Sequence, residues 1–136
     1  MARGQVTGGS LVLDSQGLSL YAGQDRAVLN MVRSALERGA SRVISAATLI
    51  EAQHGGLKRA RRDFILSQLD VKPLSVAWAR ESAQLLQETG LHGHRHAIDA
   101  MVAVTAFHQP PPVVMLTSDP DDMARLCGDL VQLVHI

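Results

Sequence analysis

The chain has 136 residues, of which 46% are hydrophobic and 19% are charged, with 13 basic (lysine and arginine) and 13 acidic side chains. Such a length and composition are typical of one globular domain, so we expect a single domain over 1–136 with a flexible N-terminal segment at 1–9. The zero net charge excludes a global attraction to nucleic acid or anionic lipid, and the few aromatic residues argue against a base-stacking platform.

The cysteine content and the absence of long apolar runs indicate the compartment. Cys127 is the single cysteine, so an internal disulfide is excluded, as is typical of proteins in a reducing compartment. No apolar run approaches the roughly 18 residues that a membrane span needs, and residues 1–10 lack the apolar core of a signal peptide. We therefore expect a cytoplasmic protein without membrane association.

Strands and helices alternate along the first half of the chain. Short runs of apolar β-formers predict strands, and apolar residues spaced three and four apart predict helices. In chain order these patterns predict a strand at 10–13, a loop at 15–17, a helix at 24–38 ended by Gly39, a strand at 42–45, a helix capped by Ser45, and a break at 55–56.

The same alternation continues in the second half. In chain order we predict a helix at 57–68, an edge strand at 71–74, a helix from the cap Ser75 to Thr89, a helix at 96–107, a strand at 113–116, a helix from Asp119 to Gly128 and a strand at 130–136. Pro73 cannot donate to a central ladder, which favours the edge position. The helix at 96–107 is almost wholly apolar and is expected to be buried. Strands separated by helices predict an α/β fold with a mostly parallel sheet.

Two acids directly follow apolar strands: Asp14 after 10–13 and Asp119 after 113–116. Ligands of open α/β sheets bind in the crevice at the carboxyl ends of the strands, so we expect both carboxylates there. A structural interpretation stays open for each acid. Asp14 could be an ordinary loop residue, and Asp119 before Pro120 could cap a helix.

Asp99 lies inside the apolar helix at 96–107, where an isolated carboxylate is costly to bury and needs a partner. A divalent cation is the simplest partner that several acids can share. Glu51, early in the helix after the second strand, can reach the same crevice, although alone it could be a solvated helix residue. Oxygen ligands select Mg²⁺ or Mn²⁺ over zinc. The sequence therefore predicts a shared cation site formed by Asp14, Glu51, Asp99 and Asp119.

Histidines and basic residues accompany these acids along the chain. The alternate spacing of His92, His94 and His96 suits a loop that lines the crevice rim or faces water, and it offers no zinc-binding pair. Arg95 could pair with Asp99 or with a phosphate. The remaining basic cluster is either a solvated helix face or a set of phosphate contacts to a polynucleotide, and it comprises Lys58, Arg59, Arg61 and Arg62.

The order and spacing of the acids resemble those of the PIN-domain nucleases, particularly the small bacterial VapC-like toxins of toxin–antitoxin pairs. The likeness covers nearly the whole chain, from the first strand to the last. The matching motifs are Leu11-Val-Leu-Asp14-Ser15, Ala47-Thr-Leu-Ile-Glu51, Ala97-Ile-Asp99-Ala-Met101 and Thr117-Ser-Asp119.

This resemblance implies a PIN-like three-layer α/β/α fold and cleavage of single-stranded RNA by a metal-activated water. It implies that Asp14, Glu51, Asp99 and Asp119 bind Mg²⁺ or Mn²⁺. Asp122 is a supporting candidate because it lies one turn from Asp119. A cognate antitoxin protein and a homodimer are further expectations that follow from the resemblance.

Two other functions compete with a metal-dependent ribonuclease. A PIN-like module could bind RNA or a partner protein without catalysis, with the acids serving only as caps and structural residues. A phosphotransfer enzyme on a similar sheet is disfavoured. A haloacid-dehalogenase-type phosphatase needs an aspartate where this chain has Gln16, and the acid pair that a response regulator carries before its first helix is absent.

Overall fold

The computed structural model describes residues 8–52 and 58–136, and within these ranges five parallel strands form one sheet. The strands are β1 (Ser10–Leu13), β2 (Ser41–Ser45), β3 (Asp70–Lys72), β4 (Val113–Thr117) and β5 (Gln132–His135). The helices of the same ranges are α1 (Ser15–Ala22), α2 (Arg26–Glu37), α3 (Thr48–Glu51), α4 (Arg59–Ser67), α5 (Val76–Thr89), α6 (Gly93–Phe107) and α7 (Pro120–Cys127).

The strand order β3-β2-β1-β4-β5 places β1 in the middle of the sheet. The chain proceeds from β1 to β2 and β3 on one side and then crosses to β4 and β5 on the other. Leu13 at the end of β1 is in register with Leu116 of β4. The carboxyl ends of β1 and β4 therefore meet at the point where the strand order reverses, which is where open α/β sheets bind ligands.

Two hydrophobic cores lie on opposite faces of the sheet, because successive side chains of a strand point to opposite sides. Val12 belongs to a core with α5, α6 and α7, whereas Leu11 and Leu13 belong to a core with α1, α2 and α4. The predicted burial of α6 is confirmed from Ala100 through Ala106, where every residue but one is buried. The fold is a three-layer α/β/α sandwich around a parallel sheet, and the predicted PIN-like class is confirmed.

The entry into β1 is closely enclosed by neighbouring backbone. Gly9 has a φ of +77°, and a Cβ at this position would lie 2.1 Å from the carbonyl oxygen of Pro112. The Gly9 carbonyl accepts a hydrogen bond from Ser41 N–H at 2.9 Å. Only glycine fits this position, so β1 is fixed from its first residue. Residues 1–7 of the segment expected to be flexible lie outside the described ranges.

Several local predictions are confirmed. The Ser75 hydroxyl caps α5 by accepting from Trp78 N–H at 3.1 Å, and α5 ends at Gly90 in the left-handed conformation with φ +71°. β3 lies at the sheet edge, as Pro73 directly after it favours. No helix in the described ranges is long and apolar enough to cross a membrane.

Other local predictions are wrong. The loop predicted at 15–17 is the first turn of α1, because the Asp14 side chain caps this helix. Ser45 does not cap α3; its hydroxyl accepts from Ala47 N–H at 3.1 Å in the turn before that helix. α6 begins at Gly93, three residues earlier than predicted. The predicted break at 55–56 and the predicted helix start at 57 lie outside the described residues.

Candidate functional site

Asp14 is buried at the carboxyl end of β1, and both of its carboxylate oxygens accept backbone hydrogen bonds. Its Oδ1 accepts from Gly17 N–H at 2.7 Å, in the first turn of α1. Its Oδ2 accepts from Ser118 N–H at 3.1 Å, in the loop after β4. The carboxylate therefore joins the ends of the two strands that flank the switch point, and it caps α1 at the same time.

The contact of Gly17 with Asp14 depends on the absence of a side chain. A Cβ at Gly17 would lie 3.2 Å from the Leu13 Cβ and 3.3 Å from the Leu116 carbonyl oxygen, which are tight contacts with two central strands. Gly17 thereby allows α1 to start close against the sheet, with its N–H directed at the carboxylate. The residues after Asp14 thus provide its hydrogen bonding through the backbone.

Asp119 follows β4 at the other side of the switch point. Its backbone N–H donates to Thr117 Oγ1 at 3.0 Å, and its side chain makes no capping hydrogen bond to α7, although Pro120 is the first helical residue. The helix-cap interpretation of this carboxylate is therefore wrong. Partial desolvation, together with the neighbouring Asp122 carboxylate, raises the pKa of Asp119 above its ordinary value.

Asp99 lies on α6 with 28% of its side chain exposed. Burial raises its pKa from 3.8 to about 6, and the charges of Glu51, Asp119 and Asp14 add to this effect, while His96 opposes it. These three acids stand on or next to three other elements of the fold. The structure thus brings the other three predicted carboxylates within electrostatic reach of Asp99, and we call Asp14, Glu51, Asp99 and Asp119 the acid cluster.

Glu51 ends α3 and is exposed. Its Oε1 accepts a hydrogen bond from the Ser15 hydroxyl, at the start of α1. Residues 15–17 therefore contact two members of the acid cluster, because Ser15 donates to Glu51 and Gly17 N–H donates to Asp14.

His96 is buried beside the acid cluster, which corrects the expectation of a loop histidine at the rim or facing water. Only 9% of its side chain is exposed, and its Nδ1 lies 3.8 Å from Asp99 Oδ2 and 3.7 Å from Asp122 Oδ2. The Asp122 side chain is 23% exposed and comes from the first turn of α7. By contrast, His92 and His94 are exposed.

The predicted phosphate contacts stand on two helices. Arg95 is exposed on α6, and in the part of the chain that the structure describes no ion pair joins it to Asp99.

Arg59 on α4 pairs with Asp63 at 3.8 Å in an exposed position, and Arg61 lies 5.7 Å from the centre of the Phe64 ring. α4 packs against β3 at the sheet edge, whereas the acid cluster surrounds the centre of the sheet. Lys58 and Arg62 are also exposed on this segment.

The acid cluster fits a divalent cation in donor type and in charge. All four side chains are carboxylates, which suit Mg²⁺ or Mn²⁺, and a cation would neutralise the repulsion that helps raise the pKa of Asp99. Within 8–52 and 58–136, however, no three histidine, cysteine, aspartate or glutamate side chains are arranged to hold a metal ion as they stand. Binding would require these side chains to move toward one another.

The sequence pattern missed the residues that support the acids. It did not identify four partners of the acid cluster: the Ser15 hydroxyl, the backbone N–H groups of Gly17 and Ser118, and the His96 ring. The spacing of His96, three residues before Asp99 on one helix, is the signal that could have identified it, because residues three apart lie on the same helix face.

Comparison with known proteins supports the fold. No protein-family model matches this sequence, and no curated protein matches it. A chain in the crystal structure of VapBC2 from Rickettsia felis bound to a DNA fragment from their promoter is similar, with a TM-score of 0.69 and 17% identity over 93% of this chain and 98% of that one. A chain of FitAcB from Neisseria gonorrhoeae gives a TM-score of 0.62 and 19% identity over 92% of this chain and 96% of that one. These likenesses extend over nearly the full length of both chains, and they show a shared fold.

Proposed function

We propose that this protein is a Mg²⁺- or Mn²⁺-dependent endoribonuclease that cleaves single-stranded RNA. The observation that carries the proposal is the environment of Asp99, whose carboxylate is partly desolvated and surrounded by the charges of three other acids. Such crowding is destabilising for the isolated protein, and acids are placed this way where a cation neutralises them.

The side chains of the acid cluster have different parts in this proposal. Asp14 is held rigidly by two backbone N–H groups, so it would provide a fixed ligand. Asp99 on α6 and Asp119 in the loop after β4 would complete the ligand set. Ser15 would orient Glu51 as a further ligand. Asp122 is a supporting candidate from the first turn of α7. A divalent cation bound there would supply an activated water and neutralise charge that develops on the phosphate.

Basic side chains would hold the RNA by its phosphates. Arg95 is exposed on α6, one helical turn before Asp99. Four more basic residues lie on or next to α4, at the edge of the sheet: Lys58, Arg59, Arg61 and Arg62. Contacts of this kind position a nucleic acid without reading its bases. They would also give the protein a local attraction for RNA that its zero net charge does not provide.

We also propose that the protein is the toxin of a toxin–antitoxin pair. The support is the sequence resemblance to VapC-like toxins, together with the fold shared with one chain of VapBC2 over nearly the whole length of both. The expected partner is a cognate antitoxin protein. The homodimer and the cytoplasmic location stay predictions.

Cleavage of a mixed pool of single-stranded RNA tests the enzymatic proposal. Purified protein should cut the RNA in Mg²⁺ or Mn²⁺ and not in EDTA. Asp14→Asn, Asp99→Asn and Asp119→Asn should lose cation-dependent cleavage, because each removes a proposed ligand charge. Asp129→Asn is the matched control, since Asp129 is an exposed acid beyond the other end of α7 and should leave cleavage unchanged.

Binding measurements on the same RNA separate the two competing functions. Substituting all four basic residues of the α4 region should weaken binding to every sequence and flatten its dependence on salt, if they contact phosphates. RNA that is bound but not cut in any divalent cation would contradict the enzyme and favour a non-catalytic binding module. No interaction with RNA would leave only a role through a protein partner.

A further inference from the structure

His96 has a buried polar atom that forms no hydrogen bond. Its Nδ1 is inaccessible to solvent and forms no hydrogen bond in the described residues. Buried polar side-chain atoms are hydrogen-bonded in the great majority of cases, and leaving one unsatisfied costs roughly 1 to 3 kcal/mol. A donor at this depth therefore needs an acceptor close by.

Two carboxylates face this nitrogen from two different helices. Asp99 Oδ2 is 3.8 Å away on the same helix as His96, and Asp122 Oδ2 is 3.7 Å away on α7. An N–H···O hydrogen bond is about 2.7 to 3.2 Å long, so both distances are too long for a bond. A movement of less than about 1 Å by either carboxylate would form one.

We propose that His96 is a positioning residue whose Nδ1–H donates between the carboxylates of Asp99 and Asp122 and holds them in place for a bound divalent cation. The inference rests on the proposed cation site and adds a residue to it that contacts the ligands rather than the ion. His96 acts at the junction of α6 and α7, because its two acceptors belong to these two helices.

The physical reason is that adjacent carboxylates repel one another until a cation is bound. A donor placed between them opposes this repulsion and fixes their orientation. Partners that orient metal ligands in this way typically change metal affinity by about 10-fold to 100-fold when they are removed. The expected effect of losing the His96 donor is therefore a weaker affinity for the cation.

Three substitutions of His96 test which atom matters. Asparagine places its amide nitrogen near the position of Nδ1, glutamine extends it toward the position of Nε2, and leucine has no donor. Titration with Mn²⁺ alone, followed by calorimetry, should give His96→Asn close to the wild-type affinity and a loss of about 10-fold to 100-fold in His96→Gln and His96→Leu. His94→Asn is the matched control, because His94 is exposed on the same helix and should bind Mn²⁺ as the wild type does.

These outcomes distinguish the inference from the proposed function. Wild-type affinity in His96→Leu, with binding lost in Asp99→Asn, would overturn the role of His96 and leave the cation site standing. A wild-type protein that binds no Mn²⁺ would overturn the cation site, and this inference with it.

A second measurement is made on the wild-type protein and does not depend on a bound ion. Two-bond nitrogen–proton correlation spectra of ¹⁵N-histidine-labelled wild-type protein report which ring nitrogen carries the proton. His96 should be protonated at Nδ1, and its resonances are those absent from the spectrum of His96→Asn. A neutral ring protonated at Nε2 alone would overturn the proposal, since it has no Nδ1–H to donate.

Discussion

The junction of β1 with α1 and the buried helix α6 each bring an aspartate to the same crevice, but they hold it in opposite ways. Asp14 accepts two backbone hydrogen bonds, from Gly17 and Ser118, which hold its carboxylate in place. Asp99 is partly desolvated, faces the charges of three acids, and has near it a histidine nitrogen that is not bonded to it.

This difference shows that one site combines an acid that stabilises the fold with an acid that destabilises it. The Asp14 carboxylate connects the ends of β1 and β4, so its removal should loosen the centre of the sheet. The Asp99 carboxylate adds repulsion, so its removal should relax the protein in the absence of a cation. The proposed function requires both, whereas stability favours only the first.

Substitution of Asp99 should have the largest effect on stability. Its pKa is raised from 3.8 to about 6, so the folded protein binds the proton more tightly than the unfolded chain does. The cost of ionising Asp99 is therefore absent below about pH 4, grows as the pH rises, and is complete above about pH 6. A pKa difference of about two corresponds to about 3 kcal/mol, of which solvent screening removes a part.

Urea unfolding of Asp99→Asn in EDTA measures this cost. The variant should be more stable than the wild type by about 2 to 3 kcal/mol at neutral pH and about equal to it near pH 4. Cleavage of RNA should be lost at the same time. A variant that is less stable at neutral pH would show that Asp99 is a structural acid, and it would remove the contrast with Asp14.

A divalent cation should cancel the repulsion at Asp99. At a hundredfold excess over its dissociation constant, Mn²⁺ should stabilise the wild type by about 2.7 kcal/mol, because it binds the folded state alone. Thermal melts in Mn²⁺ and in EDTA measure the shift, and Asp99→Asn should show little of it. Superimposable wild-type curves would count strongly against a shared cation site.

Asp14→Asn should change stability in the opposite direction from Asp99→Asn. Asparagine keeps one acceptor oxygen and turns an amide group toward the second N–H donor, which should cost about 1 to 2 kcal/mol. Urea unfolding in EDTA measures this loss. Asp25→Asn is the matched control, because Asp25 accepts one N–H bond, from Val28 at 3.0 Å, as the cap of α2, and asparagine caps helices equally well. An Asp14→Asn protein as stable as the wild type would contradict the anchoring role.

Ser15→Ala should have the smallest effect on stability. The hydroxyl of Ser15 orients the exposed Glu51, so its loss should change the free energy of unfolding by less than about 0.5 kcal/mol. RNA cleavage should nevertheless fall several-fold, because Glu51 loses the group that directs it. Ser34→Ala is the control, since it also removes a surface hydroxyl with one hydrogen bond to a charged side chain, in this case a bond accepted from Arg38. Equal RNA cleavage by Ser15→Ala and Ser34→Ala would show that Glu51 takes no part in cleavage.

The order of elements and the positions of the acids were predictable because they depend on local patterns. Apolar β-formers predicted β1 and β4, and Asp14 and Asp119 directly follow them. The apolar surroundings of Asp99 identified it as an acid in need of a partner. The start of α1 was not predictable, because its first turn contains Gly17 and few apolar residues, and the helix depends on the Asp14 cap.

The sequence by itself therefore determined the α/β order, the parallel sheet and the four acids at its crevice, since hydrophobic period and turn residues act within a few positions. Only the tertiary structure decided how each acid is held. The hydrogen bond from Ser118 N–H to Asp14 joins residues that are 104 positions apart, and His96 on α6 lies close to Asp122 on α7. Hydrogen bonding, desolvation and repulsion depend on groups that the topology brings together, and these decide which carboxylate stabilises the fold and which opposes it.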